Sequence, residues 1–233
     1  DLLIFVIGER SAFFYIILIT IVIITFVKRW RLLRIYTALI SIIIITTVAM
    51  SNKEIKNRMI DHTLEQLNII SLFSEENKEH TELIGDKIVA FSSQHQRHYI
   101  SALKMFSHNP SFGVGPKLFR IMCKDKRYFI ENGCSTHPHN TYIQLLSETG
   151  IIGFVPVFFG FLFICFIYTR QLFRNIFNNN FKYINDYQIC LYCAVLISLW
   201  PLVPTGSIFN NWLSVIYFMP IGFLLSSYSR KIN

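Results

Sequence analysis

Five long apolar blocks dominate this chain of 233 residues. They lie at residues 12–27, 35–50, 151–168, 187–203 and 212–225. Each approaches the roughly 17–25 residues that a helix needs to cross a bilayer, once flanking residues are added. Only helices and closed barrels satisfy every backbone polar group in lipid, and these continuous blocks lack the alternation of barrel strands. The sequence therefore predicts an all-α, polytopic integral membrane protein with about five transmembrane helices.

The formal net charge of +8 would suit a nucleic-acid partner, but the placement of the basic residues favours another explanation. They cluster after the first, third and fifth blocks, as Lys28, Arg29, Arg31 and Arg34, as Arg170, Arg174 and Lys182, and as Arg230 and Lys231. With five crossings these clusters share one side of the membrane, which the positive-inside rule makes cytoplasmic. We therefore expect these basic residues to lie at the surface of the lipid bilayer, and we expect no nucleic-acid partner.

This topology divides the chain into three parts. Residues 1–50 form two transmembrane helices joined by a basic cytoplasmic loop, residues 51–148 form one large loop on the outer face, and residues 149–233 form three transmembrane helices. The chain starts at Asp1 with the outer end of its first helix and shows no signal peptide. We therefore expect a piece of a longer protein that has earlier helices.

Helical spacing marks two parts of the outer loop. Residues 53–73 predict one helix, and 74–80 a charged connector; the buried positions of that helix are Ile55, Met59, Leu64, Leu67 and Ile70. Residues 92–108 predict a second helix that ends at Asn109-Pro110. We expect an apolar face of Tyr99, Ala102, Leu103 and Phe106, and a polar face of Arg97, Ser101, Lys104 and His108.

A glycine turn and a basic run follow this second helix. Gly113 and Gly115 permit a tight backbone excursion whose N–H groups can cradle an anion, although Gly-x-Gly-Pro is also an ordinary turn. The basic run consists of Lys117, Arg120, Lys124, Lys126 and Arg127. It is either a solvated surface or a site of attraction for anionic headgroups or a diphosphate at the membrane.

Cysteine and histidine pairs in the outer loop leave alternatives open. Cys123 and Cys134 pair as a disulfide if their compartment is oxidising, and otherwise stay as thiols. His95 and His98, like His137 and His139, are poor metal signatures because no convincing third ligand accompanies either pair.

Arg10 and His139 stand near the membrane boundary. Arg10 follows Glu9 between two apolar runs, either as an interfacial anchor or as a functional group, since ionisable side chains at membrane depth are functional candidates. If a helix begins at Pro138, His139 shares a stripe with Gly150 and Gly153, where another helix can approach closely. Glu148 projects to the opposite side of that helix, which favours a structural or interfacial place for it.

The spacing of this last segment resembles a known family. His139-Asn140, nine residues, Gly150, two residues and Gly153 are similar to the H-N-x9-G-x-x-G signature of the O-antigen ligase and polymerase superfamily. "GERSA" around Arg10 and "RHYISALKMFSHNPSFGVGPKLF" from Arg97 also resemble family features. These proteins are membrane glycosyltransferases of bacterial surface polysaccharide assembly, with a large periplasmic loop between helices.

The resemblance implies a donor glycan on undecaprenyl diphosphate and an acceptor that is lipid A-core or a growing glycan. It implies His139 as the base that takes a proton from the acceptor hydroxyl, with inversion at the anomeric carbon. Arg10 and Arg97 would bind the diphosphate, since arginine stays charged and binds phosphate bidentately. Candidate substrate-binding residues are Asn140, Tyr142, Gly113, Gly115 and Lys117. The resemblance implies no cofactor, no obligatory metal and no nucleotide sugar.

It further implies the bacterial inner membrane, with the active site facing the periplasm. It leaves ligase, polymerase and protein-glycosylating activities open. A transporter or channel subunit for lipid-linked glycans is a different class that the helices also fit. A purely structural membrane protein is a third option, but it leaves the His139 motif unexplained.

Overall fold

A computed structural model of the chain describes residues 1–61, 63–64, 92–177 and 184–229. These residues form helices and connecting segments, without a β-strand among them. In chain order the elements are α1 Leu2–Ile7, α2 Arg10–Phe26, α3 Arg31–Ser51, α4 Lys53–Lys56, a π-helix Asn57–Asp61, α5 Ser93–His108, α6 Phe119–Met122, α7 Thr141–Phe177, α8 Asp186–Ser198 and α9 Asn211–Ser229. The all-α prediction is confirmed.

Each of the five apolar blocks contributes to one helix: α2, α3, α7, α8 or α9. Among the described residues, α3, α7 and α9 are long and apolar enough to cross a membrane, whereas α2 and α8 are apolar but shorter, with 17 and 13 residues. This is the architecture of a polytopic membrane protein. The sidedness of the helices and the division into three parts stay predictions.

Helix α8 ends earlier than the apolar block that predicted it. The block runs to residue 203, but the helix ends at Ser198. Pro201 and Pro204 follow, and proline cannot donate the backbone hydrogen bond that would continue a helix. The chain from 199 to 210 therefore leaves the helix, and it packs over the start of α7, as described below.

Helix α7 is interrupted at Gly150, where φ is 64° and ψ is −163°. This conformation is essentially restricted to glycine. The backbone N–H groups that follow the break donate outside the helix, from Ile151 to the carbonyl of Pro110 at 2.8 Å and from Ile152 to that of Ser111 at 3.4 Å. The break separates residues 141–149, which carry the candidate site, from the long apolar part of the helix.

The main buried core lies where α2, α7 and α8 meet. Its buried members include Val22, Phe26, Ile164, Ile167, Ile189, Tyr192 and Val195. A second cluster joins α5 to α6 and the loop after it, through Ala102, Met105, Phe119, Cys123 and Tyr128. This second cluster fixes α5 beside the start of α7.

The buried face of α5 is partly polar, unlike the predicted one. Tyr99 and Ala102 are buried as expected, but Leu103 is 44% exposed and Phe106 is only partly buried. Ser101, assigned to the polar face, is fully buried. The reason is that the loop opposite offers backbone carbonyls: Ser101 Oγ donates to the carbonyl of Tyr128 at 2.9 Å, and the neighbouring His98 binds another such carbonyl.

The helix predicted at 53–73 begins as α4 and then widens into the π-helix. Met59 is buried and Ile55 is partly buried against Phe5 and Ala49, so these two predictions are confirmed. Leu64 is 37% exposed, which contradicts its predicted burial. A π-turn shifts the register of a helix face, which accounts for the difference. Leu67, Ile70 and the connector at 74–80 lie outside the described residues.

Candidate active site

Four histidine rings lie together where α5 meets the start of α7. The ring centroid of His139 lies 4.1 Å from that of His137, 5.4 Å from that of His95 and 5.6 Å from that of His98. The sequence suggested two separate pairs. The structure joins them because α5 packs against α7. We call these four residues the histidine cluster.

His139 does not belong to α7, which corrects the prediction of a continuous helix from Pro138. Its φ of 61° lies in the left-handed region, and the helix begins two residues later at Thr141. Asn140 caps that helix: its Oδ1 accepts from the backbone N–H of Tyr142 at 3.0 Å and of Ile143 at 3.1 Å. His139 therefore stands outside the helix, and the glycine stripe does not place it.

The other histidines of the cluster are each oriented by a hydrogen bond. His98 Nδ1 donates to the carbonyl of Gly133 at 2.9 Å, and His137 Nε2 donates to the carbonyl of Thr205 at 3.1 Å. A carbonyl only accepts, so these nitrogens carry the hydrogen. His95 Nδ1 lies 2.7 Å from Ser92 Oγ. These contacts fix the three rings that surround His139.

The cluster favours neutral imidazoles. Burial, followed by the neighbouring His137, His95 and His98, lowers the pKa of His139 from 6.5 to about 4. Burial also lowers the pKa of His137, and burial, His98 and Arg10 lower that of His95. A protonated imidazole is disfavoured when it is shielded from water and lies beside other groups that can carry positive charge. At neutral pH the ring of His139 is therefore uncharged and able to accept a proton.

The segment 199–210 covers the residues around His139. The N–H of Thr205 donates to the carbonyl of His139 at 2.9 Å, and its hydroxyl lies 2.9 Å from that of Thr141. Sequence reasoning missed Thr205. The prolines that interrupt the fourth apolar block were the available signal, since they mark where the chain leaves the helix.

Asn140 and Tyr142 are fully engaged in holding this arrangement. Asn140 Nδ2 donates to the carbonyl of Pro201 at 2.7 Å, and the Tyr142 hydroxyl donates to that of Leu199 at 2.6 Å. Both side chains are buried. They join α7 to the segment 199–210, and their predicted contact with sugar stays a prediction.

Glu148 is fully buried and binds the glycine turn to α7. Its Oε2 accepts from the backbone N–H of Lys117 at 3.0 Å and from Gln144 Nε2 at 2.9 Å, while Oε1 accepts from the N–H of Phe119 at 3.0 Å. Three donors converge on one carboxylate, a group with only acceptors to offer. The structural place predicted for Glu148 is confirmed.

The N–H groups of the glycine turn are directed at protein acceptors. Gly113 donates to the carbonyl of Asn109, and Gly115 to that of Glu148, each at 2.9 Å. Both glycines have positive φ, and a Cβ at Gly113 would fall on the backbone of Glu148. The turn thus packs against α7 through these groups, and a role of Gly113 and Gly115 in substrate binding stays a prediction.

The two arginines lie in different surroundings. Arg10 opens α2, is partly buried, and has Nη1 3.5 Å from Thr63 Oγ1. Its charge acts on His95, so it lies near the histidine cluster. Arg97 is exposed, and at 100° per residue it lies about 130° around α5 from the midpoint of His95 and His98. The structure brings Arg10 to the cluster and places Arg97 on another side of the helix.

The residues of the basic run lie in different surroundings. Lys117 and Arg120 line an open cavity of about 550 Å³ that reaches His137. Arg127 instead pairs with Asp125 at 2.8 Å, which holds the pKa of that carboxyl at about 2. Of the predicted substrate-binding residues, Lys117 is one whose side chain lines a cavity.

The loop that carries this run is closed by a disulfide between Cys123 and Cys134, with 5.4 Å between their Cα atoms. The structure thereby decides between the two alternatives that the sequence left open. In the described ranges, no group of three or more His, Cys, Asp or Glu side chains is arranged to hold a metal ion.

Comparison with known proteins identifies one family. A family model described as O-antigen ligase matches residues 2–158, which include the first two apolar blocks, the histidine cluster, Gly150 and the beginning of the third block. No curated protein and no solved structure matches the chain.

Proposed function

We propose a specific reaction for this chain, which belongs to the O-antigen ligase family. The family supports a glycosyltransferase-like role in polysaccharide biosynthesis, with lipid-linked glycan and acceptor partners at a membrane. Our proposal is that a glycan passes from undecaprenyl diphosphate to a hydroxyl of lipid A-core or of a growing glycan, at the periplasmic face of the inner membrane. The histidine cluster around His139 is the observation that carries it.

His139 is the proposed base. It lies at the centre of the cluster, on a backbone that α7 and the segment 199–210 hold from two sides. Its lowered pKa keeps the ring unprotonated before the donor arrives. A bound diphosphate adds negative charge beside the ring, and negative charge raises the pKa of an imidazole. The same ring thereby becomes a stronger base when the substrate is in place.

Arg10 is the proposed ligand of the diphosphate. It is the first residue of the apolar helix α2, and its charge acts on His95, a member of the cluster. Its guanidinium would offset the charge that grows on the leaving group. Arg97 is the second proposed ligand. Because it lies on another side of α5 than the histidines, its contribution can be measured separately from that of Arg10 by substitution.

The reaction is a single displacement with inversion. The acceptor oxygen forms a bond to the anomeric carbon, and the bond from that carbon to the diphosphate oxygen breaks. The electron pair leaves with the diphosphate, and the proton of the acceptor hydroxyl passes to a ring nitrogen of His139. In this scheme the residues of the chain supply the base and the cations.

The test uses the full-length protein in membranes, with a polyprenyl diphosphate-linked glycan as donor. His139→Ala should lower glycan transfer at least about 100-fold, the usual contribution of a general base. His108→Ala is the matched control, because His108 is an exposed histidine at the far end of α5. Wild-type transfer by His139→Ala would remove the base assignment.

Arg10→Lys and Arg97→Lys test the diphosphate ligands, since lysine keeps the charge but not the bidentate fork. We expect reduced turnover for both variants, measured as released undecaprenyl diphosphate. Unchanged turnover in either variant would remove that arginine from the site. Movement of the donor across liposomes without a new glycosidic bond would instead favour the transport function.

Deletion of the complete gene separates ligase from polymerase. Loss of polymer on lipid A, with polymer retained on its carrier, indicates a ligase. A single repeat unit on lipid A indicates a polymerase.

A further inference from the structure

We propose that the cavity between Lys117 and Trp212 binds an acidic sugar unit of the acceptor glycan, one that carries a carboxylate or a phosphate. This inference rests on the proposed function and specifies the chemistry of its acceptor. The cavity contains residues from α6, the start of α9 and the loop between α8 and α9. Much of its wall lies beyond the part of the chain that the family model matches.

The cavity has the size and openness of a site for a small ligand. Its volume of about 550 Å³ lies within the roughly 300–1,000 Å³ of such sites. Its lining includes the polar residues Ser207, Asn210 and Asn211. Hydroxyl and amide groups in this arrangement can donate to and accept from the hydroxyls of a sugar ring.

Two cations give the cavity its preference for an acid. Lys117 Nζ lies 3.5 Å from Asn211 Oδ1, so this lysine reaches across to α9, and Arg120 is exposed beside it. Glu148 holds the backbone that carries them, through the N–H groups of Lys117 and Phe119. An arginine on a fixed backbone suits a carboxylate or phosphate, which it can bind bidentately.

Trp212 supplies the apolar surface that a sugar ring also needs. It stands at the second residue of α9, is 83% exposed and lines the cavity. An indole at the end of a membrane helix also suits an interfacial anchor. Anchoring does not account for two cations and two asparagines converging on the same space. A sugar that stacks on the indole and pairs with the cations uses all of these groups.

The position of the cavity relative to the base indicates the acceptor rather than the donor. His137 lines the cavity, and its ring centroid lies 4.1 Å from that of His139. Arg10 acts on His95, another member of the cluster. An inverting displacement needs the acceptor and the leaving group on opposite faces of the anomeric carbon. With the diphosphate at Arg10, the separate cavity beside His137 is left to the acceptor.

Binding of small sugars to the full-length protein in nanodiscs tests this inference. The probes are glucuronate, glucose 1-phosphate and, as the neutral sugar, methyl glucoside, each measured by saturation-transfer NMR. We expect both acidic sugars to bind at least about fivefold more tightly than the neutral one, which is the discrimination that one charge-assisted contact supplies. Inorganic phosphate should compete only weakly, because it lacks the ring that stacks on Trp212.

Arg120→Gln should weaken the preference for acidic sugars, because only Lys117 then remains as a cation, and leave binding of the neutral sugar unchanged. Trp212→Ala should weaken binding of all three sugars. The matched controls are Lys124→Gln, an exposed member of the same basic run, and Trp30→Ala, an indole that is 65% exposed elsewhere. Both controls should bind like wild type. Arg120→Gln also keeps the test valid if Trp212→Ala fails to fold.

Equal binding of acidic and neutral sugars, binding unaffected by Arg120→Gln, or full displacement by inorganic phosphate would each overturn the inference. The His139→Ala variant distinguishes such a failure from failure of the proposed function. If transfer depends on His139 but acidic sugars do not bind, the cavity assignment alone falls. If acidic sugars bind as expected while His139→Ala transfers normally, the cavity remains a sugar site and the base assignment falls.

Discussion

Glu148 joins α7 to the turn that carries Lys117 and Arg120, and Glu148→Gln tests how much this junction contributes to stability. The wild-type carboxylate accepts three hydrogen bonds in a fully buried position. An amide of the same shape has one acceptor oxygen and one NH2 group. At least one of the three donors must then face another donor.

The cost follows from this count. A buried donor without an acceptor costs about 1–3 kcal/mol, and each remaining bond loses the extra strength of a charged acceptor, about 1 kcal/mol. The sum over the lost bond and the two remaining bonds is about 3–5 kcal/mol. For a domain of this size, 1 kcal/mol corresponds to roughly 2–4 °C in Tm, so we expect Tm to fall by about 6–20 °C.

Thermal unfolding of the purified protein, followed by tryptophan fluorescence, measures this change. Glu131→Gln provides the control, since it makes the same chemical change at an exposed residue of the neighbouring loop. Its Tm should stay within about 2 °C of wild type, as expected for a surface substitution. A Glu148→Gln protein as stable as this control would refute the assigned role of the carboxylate.

Two further predictions concern His139 and Gly150. Because the pKa of His139 is lowered to about 4, the unfolded chain binds the extra proton between pH 6.5 and 4, so this contribution to stability is full above pH 6.5 and lost as the pH falls. The shift in pKa corresponds to about 3 kcal/mol in the free energy of unfolding, which we reduce to about 1–2 kcal/mol because the ring is partly exposed. His139→Gln should therefore lose less stability than wild type as the pH falls through this range. An identical loss in both proteins would contradict the lowered pKa. Gly150→Ala should lower the free energy of unfolding by about 2 kcal/mol or more, because φ is positive and the new Cβ would fall on the backbone of Ser111. The control is Gly222→Ala, where nothing lies within 4 Å of the new Cβ, and it should be nearly neutral in the same assay. Equal stability of these two variants would show that the break in α7 carries no strain.

The His139 motif shows how spacing can identify residues without explaining them. The sequence picked out His139, Asn140 and Gly150, and the family match includes all three. The helical stripe used to connect them was wrong, because Asn140 caps the helix and Gly150 breaks it. The cap is a local contact, but the break depends on partners distant in sequence, the carbonyls of Pro110 and Ser111.

The predicted buried and polar faces of α5 were partly wrong because the burial of this helix also depends on a segment distant in sequence. Its periodicity predicted a helix correctly, but its buried side was chosen by carbonyls in the loop 128–133. A side chain such as His98 is polar by composition and buried by its neighbours. Hydropathy alone therefore could not predict the surface that holds the histidine cluster.

The all-α class and the location of the five apolar helices follow from local sequence. Length and hydropathy are local properties, and a lipid environment allows few other structures for such segments. The histidine cluster, the junction at Glu148 and the cavity beside His137 depend instead on how the chain packs. Each of these brings together segments far apart in the chain, where distance and direction depend on packing rather than on local pattern.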